Sequence, residues 1–214
     1  MNRFWIILAV VIIGLVGIFV FTKPDDNGTD TNVDEPAKIT EADHAKWNTE
    51  ASVVLIEYGD FQCPGCGSYY SILQQLEADY GENVNFVFRH FPLRNIHPNA
   101  QSAALAAEAA GKQGKFWEMH DQLFETQGSW GRITSNLQSQ FEDYAEELGL
   151  DMTQFRADYA DPATARRINN DLSTGKALGA TGTPTFILNG KMIETPANAE
   201  AFGKVLDEAI KQAE

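Results

Sequence analysis

The sequence predicts an α/β fold, a mixed central sheet flanked by helices, interrupted by a helical block and preceded by a membrane helix. Three features predict it: two short β-branched runs separated by one amphipathic helix, a stretch from about 97 to 160 with helical periodicity and no strand signal, and a charge-free apolar segment near the amino terminus. A chain of 214 residues suits one well-filled domain with appendages rather than two large ones. Its formal net charge of −14 repels phosphate backbones, which argues against nucleic acid as a partner.

From Phe4 to Phe21 the run FWIILAVVIIGLVGIFVF has no charged residue, and a helix of this length just crosses a hydrocarbon core of about 30 Å. It ends in FVFTKPDD, bulky where signal cleavage requires small residues, and no cysteine follows that could carry a lipid. Residues 1–21 are therefore expected to be an uncleaved single-pass anchor in the lipid bilayer; a cleaved signal and a buried core helix are the competing readings. Arg3 before the span and Lys23 after it barely discriminate orientation. Export of the body behind a lone anchor is the usual outcome, so the folded body is expected on the extracytoplasmic side of the cell membrane. Residues 22–38, rich in Asp, Thr, Asn and Pro, bury too little apolar surface to order and are expected to form a disordered acidic tether.

Residues 39–214 hold the folded body. SVVLIEY, from Ser52 to Tyr58, is a continuous apolar run of the kind buried on both faces of a sheet. A helix follows from Pro64, a proline suited to the first helical position, with Tyr69, Ile72, Leu73, Leu76 and Tyr80 at helical spacing. NVNFVFRHF, from Asn83 to Phe91, is the second strand, so 52–91 form a βαβ unit with parallel strands. In the helical block Phe116, Met119, Leu123 and Phe124 share one helix face. SNLQ at Ser135–Gln138 reads as a capping box, and Asp151 and Asp161-Pro162 as helix starts. A helix then runs toward Gly179, TPTFILNGKMI gives two short strands about Asn189-Gly190, and a last helix carries Phe202, Val205, Leu206, Ala209 and Ile210 as one stripe. Without the block, the order βαβ then αββα is the thioredoxin arrangement.

The only two cysteines lie in FQCPGC. A structural disulfide closing so short a loop restrains little chain entropy. A metal site needs further ligands, and the four histidines His44, His90, His97 and His120 offer no close pair in sequence, so no metal is expected. In the redox reading, Cys63 caps a helix whose unpaired N–H groups and dipole favour a thiolate, and Cys66 lies one turn on, in reach of a mixed disulfide at Cys63. His90 and His97 are read as structural, and Trp117 and Trp130 as core.

VLIEYGDFQCPGC, FRHFPL, the helical insertion and GATGTPTFILNGK resemble, in that order, the DsbA-like thiol-disulfide oxidoreductases of bacteria, especially the membrane-anchored forms. The resemblance implies a thioredoxin fold with an inserted helical domain, and an extracytoplasmic enzyme that exchanges disulfides through Cys63 and Cys66 with no cofactor beyond that disulfide. It implies exported, reduced or unfolded proteins as substrates and a DsbB-like or VKOR-like membrane reoxidant as partner. It further implies that Thr183 and Pro184 form a cis-proline loop that faces the cysteines and binds extended substrate, and that Glu57 is a buried acid serving Cys66. The dipeptide Pro64-Gly65 tunes the thiolate. Strongly oxidising relatives have histidine where Gly65 stands, so a less stabilised thiolate is expected and the direction of electron flow stays open. The alternatives are a reductase or isomerase of exported proteins and a non-enzymatic module for peptide or soft metal.

Overall fold

The structure is a computed structural model and describes residues 37–213. The expected anchor and all of the expected tether except Ala37 and Lys38 lie outside the described residues. Among those described, no helix is long and apolar enough to cross a membrane. Lys38 already belongs to the folded body, because its carbonyl accepts a 2.6 Å hydrogen bond from Arg89 Nη2.

Five strands form one mixed sheet in the order β1-β3-β2-β4-β5. β2 (Val53–Gly59) is central, parallel to β3 (Val84–His90) and antiparallel to β4 (Thr185–Leu188). The helix between β2 and β3 is α1 (Pro64–Tyr80), so the predicted βαβ unit stands. β1 (His44–Trp47) pairs antiparallel with β3 and was not legible in the sequence, because HAKW is four residues long and half-buried throughout. β5 (Lys191–Met192) completes the edge through a turn with Asn189 and Gly190 both at positive φ, 47° and 79°, as an Asn-Gly hairpin turn requires.

β3 leads into the inserted block of α2 (Ala100–Gly111), α3 (Phe116–Glu125), α4 (Gln127–Trp130), α5 (Gln138–Glu147) and α6 (Met152–Ala160). The chain returns through α7 (Pro162–Ala177) and ends, after β4 and β5, with α8 (Ala199–Ala213). Asp151 and Asp161 cap α6 and α7 with their carboxylates, as their positions predict. The capping box does not form: Leu137 is the N-cap of α5, and the Asn136 side chain instead accepts from the Gln138 N–H at 2.7 Å. Asn136 competes successfully for the orphan N–H because it can close a local turn two residues ahead.

Alternation along the strands sorts the core. Val53, Leu55, Val84, Phe86, Phe186 and Leu188 face α1 and α8, while Ile56, Tyr58, Val87 and Ile187 face the side packed by Leu172 of α7. The inserted block adds a third cluster around Met119, Leu123, Trp130, Phe141 and Phe155, which runs continuously to Cys63, Cys66, Phe61 and Phe88. The insertion therefore shares its core with the start of α1. Tyr70 rather than Tyr69 is the buried tyrosine of α1, because it turns toward Phe124 of the insertion.

Candidate active site

Cys63 is the N-cap residue of α1, with extended backbone at φ −71° and ψ 121°, and Pro64 follows at N1. Cys66 lies in the first turn and is fully buried, while Cys63 keeps 9% exposure. Both are free thiols. The Thr183-Pro184 peptide bond is cis, and the Thr183 carbonyl accepts from the Cys63 thiol at 3.4 Å. A Cβ built on Gly65 would meet Pro184 Cδ at 3.3 Å and Cys63 Sγ at 3.5 Å, so the dipeptide, the proline loop and the sulfur share one surface.

The two thiols are driven apart in acidity. The Cys66 thiol is the largest influence holding Cys63 down; burial opposes it, and Thr183 and the N–H groups of Cys66 and Gly65 add to it, leaving Cys63 at about 5. Burial pushes Cys66 well above the ordinary thiol range, and the charges of Cys63 and Glu57 push it the same way. Such a pair has an accessible nucleophile beside a thiol that must be deprotonated before it reacts.

Glu57 is only 2% exposed on the central strand, on the same face as Val53 and Leu55 and flanked in register by Phe88 and Phe186. It is not an edge residue. Burial, then the Cys63 charge, raises its carboxyl to about 8, opposed by its hydrogen bond with Cys66. Its Oε1 has no hydrogen-bond partner, and neither does the buried Thr183 Oγ1.

Several residues that hold the site have no sequence signal, since each works by reaching across the fold. Gln127 of α4 donates through Nε2 to the carbonyls of Phe61 and Cys63 at 2.7 and 2.9 Å. Gln62 donates to the carbonyls of Gly131 and Ile133 and accepts from the Asn99 N–H. The Asp60 carboxylate accepts from the N–H groups of Gln62 and Leu93 and contacts His97 Nδ1 at 2.7 Å, while the Asp60 N–H donates to Cys66 Sγ at 3.4 Å. His97 is thus structural in the sense expected, but it braces the active-site loop itself.

His90 is buried, and the fold gives it a partner that linear spacing hides. His44 Nε2 and His90 Nε2 both contact Glu108 Oε1, at 2.8 and 2.9 Å, bringing together three potential metal-ligand side chains from β1, β3 and α2. Each Nε2 engages that one carboxylate oxygen, and the two contacts hold Glu108 far below the usual carboxylate range against the effect of burial. Trp130 is fully buried and donates to the Leu123 carbonyl. Trp117 is half-buried and donates to the Ala45 carbonyl.

A helix-capping Cys-x-x-Cys facing a cis-proline loop above a buried carboxylate defines a thiol-disulfide oxidoreductase. A family model described as thioredoxin matches residues 40–208, and the chain belongs to that family. A thioredoxin-like oxidoreductase from Silicibacter pomeroyi is 26% identical with a TM-score of 0.68, over 80% of this chain and 94% of that one. BdbD from Bacillus subtilis is 22% identical with a TM-score of 0.69, over 79% and 94%. The α-DsbA1 of Wolbachia pipientis is 22% identical with a TM-score of 0.70, over 83% and 95%, so the architecture is DsbA-like. Among curated proteins, a Salinispora arenicola protein named Na(+)/H(+) antiporter NhaA 1 is 43% identical over 168 residues. A Mycobacterium sp. (strain KMS) protein of the same name is 35% identical over 171 residues. The chain spans about a quarter of the length of these curated relatives.

Proposed function

We propose that this oxidoreductase acts as an oxidase, donating the Cys63–Cys66 disulfide to reduced or unfolded exported proteins outside the cytoplasm. The observation that carries the reading is the place of Cys63 at the N-cap of α1, where the Cys66 thiol and the N–H groups of Cys66 and Gly65 hold its own thiol down, to about 5. Stabilising the thiolate stabilises the reduced form of the pair, and that makes its disulfide the better oxidant. A substrate thiolate attacks Cys63 Sγ, the Cys63–Cys66 bond breaks, and Cys66 leaves with the electron pair and takes a proton from Glu57. A second substrate thiolate then attacks the substrate sulfur of the mixed disulfide and releases Cys63 as its thiolate. Thr183 and Pro184 border the attacked sulfur and offer backbone groups to an extended peptide. The disulfide itself is the redox group, and no other cofactor is needed for these steps.

The apolar segment 4–21 supports a bilayer anchor with the body outside, and a DsbB-like or VKOR-like membrane partner would restore the disulfide. The curated relatives' antiporter names belong to proteins about four times as long as the shared segment, and that segment is the length of the redox body described above. The reductase reading draws on Gly65, which supplies no side-chain donor to the Cys63 thiolate.

Cysteine variants separate the roles. Cys63→Ser is expected to abolish disulfide exchange with a reduced, unfolded substrate, and Cys66→Ser to accumulate mixed disulfides visible on a non-reducing gel. Wild-type exchange in either variant would contradict the mechanism.

A further inference from the structure

A cavity of about 20 Å³ is bordered by Glu57, Tyr70, Trp117, His120, Asp121 and Lys46. A space of this size holds one water where polar groups converge. Two polar atoms of its lining residues are buried with no partner: Glu57 Oε1 from the central strand and His120 Nε2 from α3 of the insertion. Glu57 and His120 are 2% and 5% exposed. On its other side His120 is fixed, with Nδ1 at 2.8 Å from Asp121 Oδ1. Nδ1–H donating to that carboxylate leaves Nε2 with a lone pair to accept a proton. Asp121 is about one-third exposed and lies 3.7 Å from Lys46 Nζ, so the line from Glu57 through the cavity and His120 ends at solvent.

We propose that His120 and Asp121 are the proton outlet of Glu57, with one water in the cavity joining Glu57 Oε1 to His120 Nε2. The inference rests on the proton role proposed for Glu57, and it holds whichever way electrons flow. When Cys66 resolves a mixed disulfide at Cys63, its thiol must first lose a proton. Glu57 passes its own proton through the water to Nε2, Nδ1 gives one to Asp121 and so to solvent, and the Glu57 carboxylate accepts the Cys66 proton. The Cys66 thiolate attacks Cys63 Sγ, the Cys63–partner bond breaks, and the electron pair leaves on the partner's sulfur. The net result is one disulfide exchanged for another and one proton delivered to water.

The titratable groups around His120 and its cavity come from every element packed there: Asp121 on α3, Lys46 on β1, Glu57 on β2, Tyr70 and Glu77 on α1, and His90 on β3. Burial, helped by Lys46 and His90, outweighs Asp121 and keeps the imidazole neutral below its ordinary range. A neutral imidazole is the form that can accept the proton.

Ellman's reagent alone tests the outlet on the reduced full chain, because its two colour-releasing phases report Cys63 attack and then Cys66 resolution. His120→Asn keeps a donor toward Asp121 but has no group at the Nε2 position. It is expected to leave the first phase unchanged and slow the second roughly tenfold near neutral pH. The deficit should shrink above about pH 8, where Glu57 is already ionised. In a Glu57→Gln background, His120→Asn should slow the second phase no further. His120→Gln, polar at the same depth but unable to relay a proton, should repeat the loss and serves if the asparagine variant does not fold. An unchanged second phase, or an equal loss in the Glu57→Gln background, would overturn the outlet. Absence of the second phase in the unaltered protein would instead overturn the Cys66 mechanism beneath it.

Discussion

Two ionisable groups at the active site titrate in opposite senses, and each has a measurable consequence. Cys63 at about 5 implies that its alkylation by iodoacetamide reaches half its maximal rate near pH 5, and a midpoint above about 8 would show that the thiolate is not stabilised. Glu57 is raised from 4.5 to about 8, so the folded state binds a proton that the unfolded chain has lost. Its contribution is intact below pH 4.5 and erodes as pH rises toward 8, at up to about 1.4 kcal/mol per unit. Glu57→Gln should therefore gain stability over the unaltered reduced protein as pH rises from 5 to 8. Paired denaturant titrations that stay parallel across that range would show that Glu57 is not held protonated.

At the scale of elements, the start of α1 is held from the insertion by Gln127, whose two hydrogen bonds engage the carbonyls flanking the first cysteine. Gln127→Ala should cost about 1–2 kcal/mol in chemical denaturation, the usual loss for hydrogen bonds to partly buried carbonyls. Gly67 is the counterpart of that contact, since a Cβ there would fall 2.3 Å from Gln127 Oε1. Gly67→Ala should displace the glutamine, and the double variant should lose less than the sum of the two; full additivity would mean that the residues act separately. These long-range contacts were invisible in the sequence, where Gln127 is one glutamine in a four-residue helix. The elements with strong local signals were legible: β2 from its apolar run, α1 from proline and periodicity, and the β4–β5 hairpin from Asn-Gly. β1 was not, because a short, half-buried strand has neither alternation nor an apolar run, and the Ser135–Gln138 box misled because Asn136 offers a competing local cap.

Across the molecule, the helical insertion is more than a lid beside the thioredoxin core. It shares a continuous apolar cluster with both cysteines, supplies Gln127 to the helix start and places His120 on the cavity that Glu57 borders. The candidate site was legible in its linear part, Cys63, Pro64, Gly65 and Cys66. Thr183, Pro184 and Glu57 were placed by resemblance, since no spacing rule brings residue 184 to residue 63. The His44–Glu108–His90 group was missed because its members come from three separate elements. The central claim, that this molecule is an oxidant built on a stabilised Cys63 thiolate, is a statement about a potential. Equilibrating the purified chain with glutathione or dithiothreitol buffers at pH 7 and counting free thiols gives the reduction potential of the Cys63–Cys66 pair. The account predicts a value less negative than about −200 mV, on the side of the strong oxidant near −120 mV, and a value near −270 mV would contradict it and make the protein a reductase.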